Sequence, residues 1–255
     1  MRMRSPSRAW SNLAPGALIH GLGSPGGESN FRVIGPALAA AGYCAFGVDY
    51  GHTEPLRYPG GLGPLEESAA VIREFIEEVR TATGAAEVDL VGHSEGGLHS
   101  LAVPKSFGLG DVVGTVVAMA PPTHGTDFHG LLPLGRELGV GRVASPVLRL
   151  FGCWACEDIA IDGTYVAALN DGPIAQRGID YTIIATQYDA LVTPTETSFV
   201  REPGVTNIRV QDVCPLDLVG HIGMAYDDAI LQMVINALDP AHAAPIDCGV
   251  GGPPV

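Results

Sequence analysis

The sequence predicts an α/β fold: a mostly parallel central sheet with helices on both faces and a cap inserted over one end. Three observations lead there. Short apolar, β-branched runs at 17–19, 43–48, 88–91, 112–119, 181–186 and 208–213 alternate with helical periodicity at 30–41, 66–80 and 227–238, an order that builds parallel strands joined by helices. Residues 123–178 lose that periodicity; a stretch this long inside a compact domain is usually functional, and it is assigned to a cap or lid. The length of 255 residues suits one domain with a sizeable core. That domain is expected over 17–240, with an irregular arm at 1–16 and a loose tail at 241–255.

Taken in order, the run 17–19 leads into His20-Gly21-Leu22-Gly23-Ser24-Pro25-Gly26-Gly27. The glycines match neither phosphate-binding pattern closely, and the loop reads better as a place where backbone N–H groups can face a substrate. A helix at 30–41 ends at Gly42, and the strand 43–48 ends at Asp49-Tyr50-Gly51. The helix 66–80 carries Ile72, Phe75, Ile76 and Val79 on one face, an ordinary core stripe. The strand 88–91 breaks into Gly92-His93-Ser94-Glu95-Gly96, and helix-compatible residues resume at Leu98, with Pro104 expected to interrupt them. Strand, sharp turn and helix form the context of a nucleophile elbow, in which Ser94 occupies a strained backbone and the flanking glycines avoid collisions.

A serine hydroxyl needs a base to take its proton and an acid to orient that base. Asp189 follows the run 181–186, and His221 follows the last expected strand, 208–213, in the order acid then histidine. Asp212 and Asp217 lie on or beyond the strand leading to His221 and fit the acid role less well. His20 and His93 read as packing or hydrogen-bonding residues, and His52, His99 and His242 carry no signal. His124, Asp127 and His129 lack the helical frame of a metal site, so no metal or other cofactor is expected. The expected oxyanion donors are the backbone N–H groups of Leu22 and Glu95, whose side chains would then line the acyl pocket; Leu22 offers apolar contact there, while for the Glu95 carboxylate a solvated surface position and a hydrogen bond beside the elbow both stay open.

Twenty-eight acids against 14 bases give a formal charge of −14, which disfavours nucleic acid and anionic lipid as partners. A neutral substrate is expected. No run approaches the ~20 apolar residues of a membrane span. The five cysteines, Cys44, Cys153, Cys156, Cys214 and Cys248, suggest structural disulfides of an exported protein, with at least one thiol left over if all bridges are internal. Spacing does not give their pairing. The first ten residues lack the apolar segment of a signal peptide.

Together these residues resemble the α/β-hydrolase superfamily, and more closely the secreted class 2 triacylglycerol lipases of actinobacteria. The matching text is His20-Gly21 with its glycine-rich continuation, Gly42-Tyr43-Cys44 with Asp49-Tyr50-Gly51, and Gly92-His93-Ser94-Glu95-Gly96-Gly97. It continues in Ala120-Pro121-Pro122 with His124-Gly125-Thr126, residues 181–189 with Val192-Thr193-Pro194, and Gln211-Asp212-Val213-Cys214-Pro215 with His221. The resemblance implies an α/β-hydrolase fold, export, at least one disulfide, and a cap over an apolar cleft that meets neutral lipid. It further implies a lipase or esterase acting on acyl esters such as acylglycerols, without a cofactor. It makes Ser94 the nucleophile, Asp189 the acid, His221 the base, and Leu22 and Glu95 the oxyanion donors. The chain departs from the pattern at 24–27 and at 98–107, both beside the cleft. Three alternatives remain: acyl transfer to an alcohol by the same triad, polyester hydrolysis, and a non-catalytic binding module. An aspartate-nucleophile hydrolase is disfavoured by Ser94.

Overall fold

A computed structural model describes residues 14–24, 31–53, 59–127, 129 and 152–251. The described strands are β1 (Gly16–Ile19), β2 (Ala45–Val48), β3 (Val88–His93), β4 (Val113–Met119), β5 (Asp180–Ala185) and β6 (Val205–Arg209). They form one sheet in the order β2-β1-β3-β4-β5-β6, every pair parallel. Alternate side chains feed two cores, one on each face. Ile19, Leu90, Val116 and Ile183 pack with α2 (Leu65–Thr83) and α3 (Glu95–Phe107), through Ile72, Ile76, Leu98 and Leu101. Leu18, Val91, Val117 and Ile184 pack on the opposite face with α1 (Phe31–Ala40) and, near the chain end, with Ile230 and Val234.

Local chemistry explains where the helices begin and end. Glu66 and Glu67 lie in the first turn of α2 and Arg80 in its last, complementing the helix dipole. Gly84 then closes the helix at φ 70°, its N–H donating to the Arg80 carbonyl. Pro104 does not interrupt α3 as expected. It sits in the final turn, where a missing N–H removes only one bond, and Gly108 and Leu109 both donate to its carbonyl.

Residues 128 and 130–151 of the expected cap lie outside the described residues. Its described part holds two short helices, α4 (Ala155–Asp158) and α5 (Thr164–Leu169). A Cys153–Cys156 disulfide ties the residue before Trp154 into the first turn of α4, and the Trp154 and Ala155 N–H groups donate to the Leu62 carbonyl.

The last strand differs from the expected 208–213. Strand β6 ends at Arg209, and α6 (Val210–Val213) follows at once. Val210 and Cys214 are both fully buried, and their four-residue spacing reaches one core only from a helix. The final helix, α7 (Asp228–Leu238), is capped by the Asp227 carboxylate, which accepts from the Ala229 and Ile230 N–H groups. The tail is tied back by a Cys214–Cys248 disulfide and by the Leu218 N–H to the Val250 carbonyl. Cys44 is a free, exposed cysteine.

The junction of β3 and α3 leaves no room for side chains at its two glycines. A Cβ on Gly96 would lie 2.1 Å from the Ile19 carbonyl oxygen, and one on Gly92 would lie 2.2 Å from the Gly96 carbonyl oxygen. Ser94, between them, is held at φ 58° and ψ −123°, a region that costs on the order of 1–3 kcal/mol for a non-glycine residue.

Gly96→Ala is therefore expected to force β1 and α3 apart, and thermal unfolding should show loss of several degrees in Tm or failure to fold; a wild-type Tm would contradict this packing. Cys248→Ser removes a tie spanning 34 positions, so urea unfolding should report about 2–4 kcal/mol less stability and limited proteolysis should release the tail.

Candidate active site

The structure brings Ser94, His221 and Asp189 together although they lie on three separate connections. His221 Nδ1 is 2.7 Å from Asp189 Oδ2, and His221 Nε2 is 2.8 Å from Ser94 Oγ. A carboxylate only accepts, so Nδ1 carries the ring hydrogen and Nε2 is left to accept the serine O–H. The other Asp189 oxygen accepts from the Leu191 and Val192 N–H groups, each at 2.8 Å. Three donors thus hold one buried carboxylate in place. Asp212 and Asp217 stand outside this chain, and Asp217 instead accepts from the Val219 N–H.

A brace behind the triad fixes the spacing of acid and base. Gln211, on the α6 turn, donates from Nε2 to Thr186 Oγ1 and the Asp217 carbonyl, while its Oε1 accepts from the Gln187 N–H. Thr186 donates in turn to the Val219 carbonyl. The loop after β4 joins it, since Thr126 Oγ1 donates to the Leu191 carbonyl. Sequence reasoning missed Gln211 and Thr186 as bracing residues. The extended reading of 208–213 hid them, because only the helical turn returns Gln211 to β5.

His93 is fully buried, and its Nε2–H donates to the His221 main-chain carbonyl at 2.9 Å. Desolvation, with His221 beside it, lowers its pKa to about 3, so the ring stays neutral. His124 hydrogen-bonds the Asn170 side chain and the Phe199 carbonyl, and Asp127 accepts from Thr193 Oγ1. Among the described residues no group of three or more His, Cys, Asp or Glu is placed to hold a metal ion.

A cavity of about 310 Å³ opens beside Ser94, lined by Leu22, Ile159, Leu191, Val192, Ile222 and Tyr226, with His221 at one wall. Among the described residues no carboxylate or cationic chain lines it. The loop after β1 passes so close that a Cβ on Gly21 would lie 3.0 Å from the Ser94 Cβ. Leu22 follows immediately, and Glu95 opens α3; among the described residues neither backbone N–H has a hydrogen-bond acceptor, as expected for a helix start.

The Leu22 side chain faces the cavity as expected, whereas Glu95 does not. Its side chain turns away, is 1% exposed, and packs behind the elbow among Tyr50, His99 and Tyr165. Desolvation pushes the Glu95 carboxyl well above the ordinary carboxylate range and lowers the His99 pKa to about 3. Burial thus favours the uncharged form of both groups. The signal available in the sequence was Glu95 with His99 four residues on, one helical turn apart.

Residues 18–133 match the family model of the alpha/beta hydrolase fold. Among solved structures, lipase B of Aspergillus fumigatus superposes with a TM-score of 0.72 at 18% identity, over 98% of this chain and 60% of the lipase. This chain thus spans about three-fifths of that protein's length. Est1E of Butyrivibrio proteoclasticus, solved with ferulic acid bound, matches with a TM-score of 0.53 at 16% identity, over 90% of this chain and 88% of that one. The enol-lactonase of Burkholderia xenovorans gives 0.52 at 16%, over 89% and 92%. At such identities the likeness speaks for architecture. By its six-stranded parallel sheet, its sequence match and its structural neighbours, this chain has the α/β-hydrolase fold.

Proposed function

We propose that this protein is a serine carboxylester hydrolase, a lipase or esterase acting on neutral acyl esters such as acylglycerols. The observation that carries the reading is the unbroken hydrogen-bonded chain from Asp189 through His221 to Ser94. Ser94 Oγ attacks the ester carbonyl carbon as its proton passes to His221 Nε2, and the Asp189 carboxylate stabilises the imidazolium that forms. The oxyanion is held by the Leu22 and Glu95 N–H groups, reinforced by the positive end of the 13-residue α3. His221 then returns the proton to the departing alkoxide oxygen, leaving an acyl-Ser94 ester. Water, deprotonated by the same imidazole, cleaves that ester and frees the acid.

The uncharged cavity wall supports a neutral acyl group, since a buried unpaired charge would be costly there. Its volume lies at the lower end of the range for ligand sites, which favours short and medium acyl chains. Two disulfides support an exported protein.

Assays on p-nitrophenyl esters should show higher kcat/KM for butyrate than for palmitate. Ser94→Ala and Asp189→Asn are each expected to lower kcat by roughly 10⁴-fold or more with the fold intact. Turnover by folded Ser94→Ala at the wild-type rate would defeat the proposal.

A further inference from the structure

The Glu95 carboxyl has no part in the chemistry just described, yet it belongs to the residue whose N–H is assigned to the oxyanion. Neither of its oxygens meets a donor in good hydrogen-bond geometry among the described residues, although Tyr50 Oη stands close enough to act on the carboxyl as a side-chain hydrogen bond. Tyr50 Oη faces it but donates to the His20 carbonyl at 2.6 Å. His99 Nε2 lies 3.7 Å from Glu95 Oε1, while His99 Nδ1 is engaged with Tyr165 Oη at 2.8 Å. On a third side the Gly61 backbone closes in: a Cβ there would be 3.3 Å from Glu95 Oε1 and 3.1 Å from the Leu22 Cα.

The surrounding titratable groups are two phenols, two imidazoles and acids. They are Tyr50 and Asp49 after β2, His20 after β1, Glu66 on α2, His99 on α3, Asp158 on α4 and Tyr165 on α5. Among the described residues no lysine or arginine joins them. A carboxylate here would be a buried charge without a cation, a state that costs several kcal/mol. A neutral carboxyl meets no such cost, and its O–H can turn toward Tyr50 Oη or His99 Nε2.

We propose that Glu95 is a positioning residue: its neutral carboxyl, wedged between Tyr50, His99 and the Gly61 backbone, fixes the Ser94–Glu95 peptide so that its N–H faces the oxyanion. The inference rests on the reading of Ser94 as nucleophile. The wedge lies beside both donors at once, because a Cβ on Gly61 would meet the Glu95 carboxyl and the Leu22 Cα alike. Loss of the proton places a charge in the wedge, moves the carboxyl, and takes the peptide with it. The sign follows from burial: the group is neutral below its raised pKa, so transition-state binding is intact below that value and falls as pH rises through it.

The test is the pH profile of kcat and KM for p-nitrophenyl butyrate in wild type, Glu95→Gln and Glu95→Ala, with thermal melts at each pH to confirm folding. Glu95→Ala is expected to lose roughly tenfold or more in kcat with little change in KM, and Glu95→Gln, the neutral isostere, to recover much of that loss. Wild-type kcat should fall on the alkaline side while Glu95→Gln stays flat. Parallel alkaline limbs in the two proteins, or no recovery by Gln, would overturn the proposal alone. A folded wild type that neither hydrolyses the ester nor takes up a p-nitrophenyl phosphonate on Ser94 would overturn the nucleophile reading, and this proposal with it.

Discussion

The site depends on the approach of the Gly96 backbone to the carbonyl of Ile19, with no room for a methyl group between them. Strands β1 and β3 are neighbours, but their connections leave in opposite directions, β1 outward to β2 and β3 toward β4. Their loops diverge and leave a crevice at the carboxyl end of the sheet. Because α3 can press against β1 there, it begins directly after Ser94, and its unpaired N–H groups open onto the crevice. The strained backbone of Ser94 is over-determined by this packing and by its own N–H bond to the Met119 carbonyl.

That constraint explains what was legible in the sequence. Gly92 and Gly96 mark a place where backbone must touch backbone, so the elbow could be read from residue types alone. The chain order of Asp189 and His221 followed from the alternation of strands and helices, which also gave the sheet. What stayed hidden depends on direction. Residues 208–213 look extended, yet burial of both Val210 and Cys214 requires a helical turn after Arg209. Glu95 could have faced solvent, substrate or interior. Only packing against Tyr50 and Tyr165, from residues 45 before it and 70 after it in the chain, decides for the interior. The interruption expected at Pro104 failed for a local reason, since proline is tolerated where a helix is already ending.

Behind the nucleophile the protein keeps a polar interior where an apolar one would pack as well. Glu95 and His99 are both fully buried, and neither forms an ion pair with the other, because burial moves the acid up and the base down. The elbow is thereby backed by neutral dipoles. A fixed charge there would alter the field at Ser94, whereas neutral groups leave that field to the helix terminus and to Asp189.

The brace through Gln211 and Thr186 divides the site between two parts of the sheet. Ser94 and the two proposed donors, Leu22 and Glu95, hang from β1 and β3, while Asp189 and His221 hang from β5 and from the segment beyond β6. Among the described residues strand β6 has a sheet partner on one side only, and it is half exposed, which makes it a natural place for local opening. Fraying there would carry off His221 with its brace and leave Ser94 strained but without a base. On the function proposed above, such a molecule would still present a formed crevice to an acyl chain and hold it without cutting it. Edge integrity thus separates occupancy from reaction within one polypeptide.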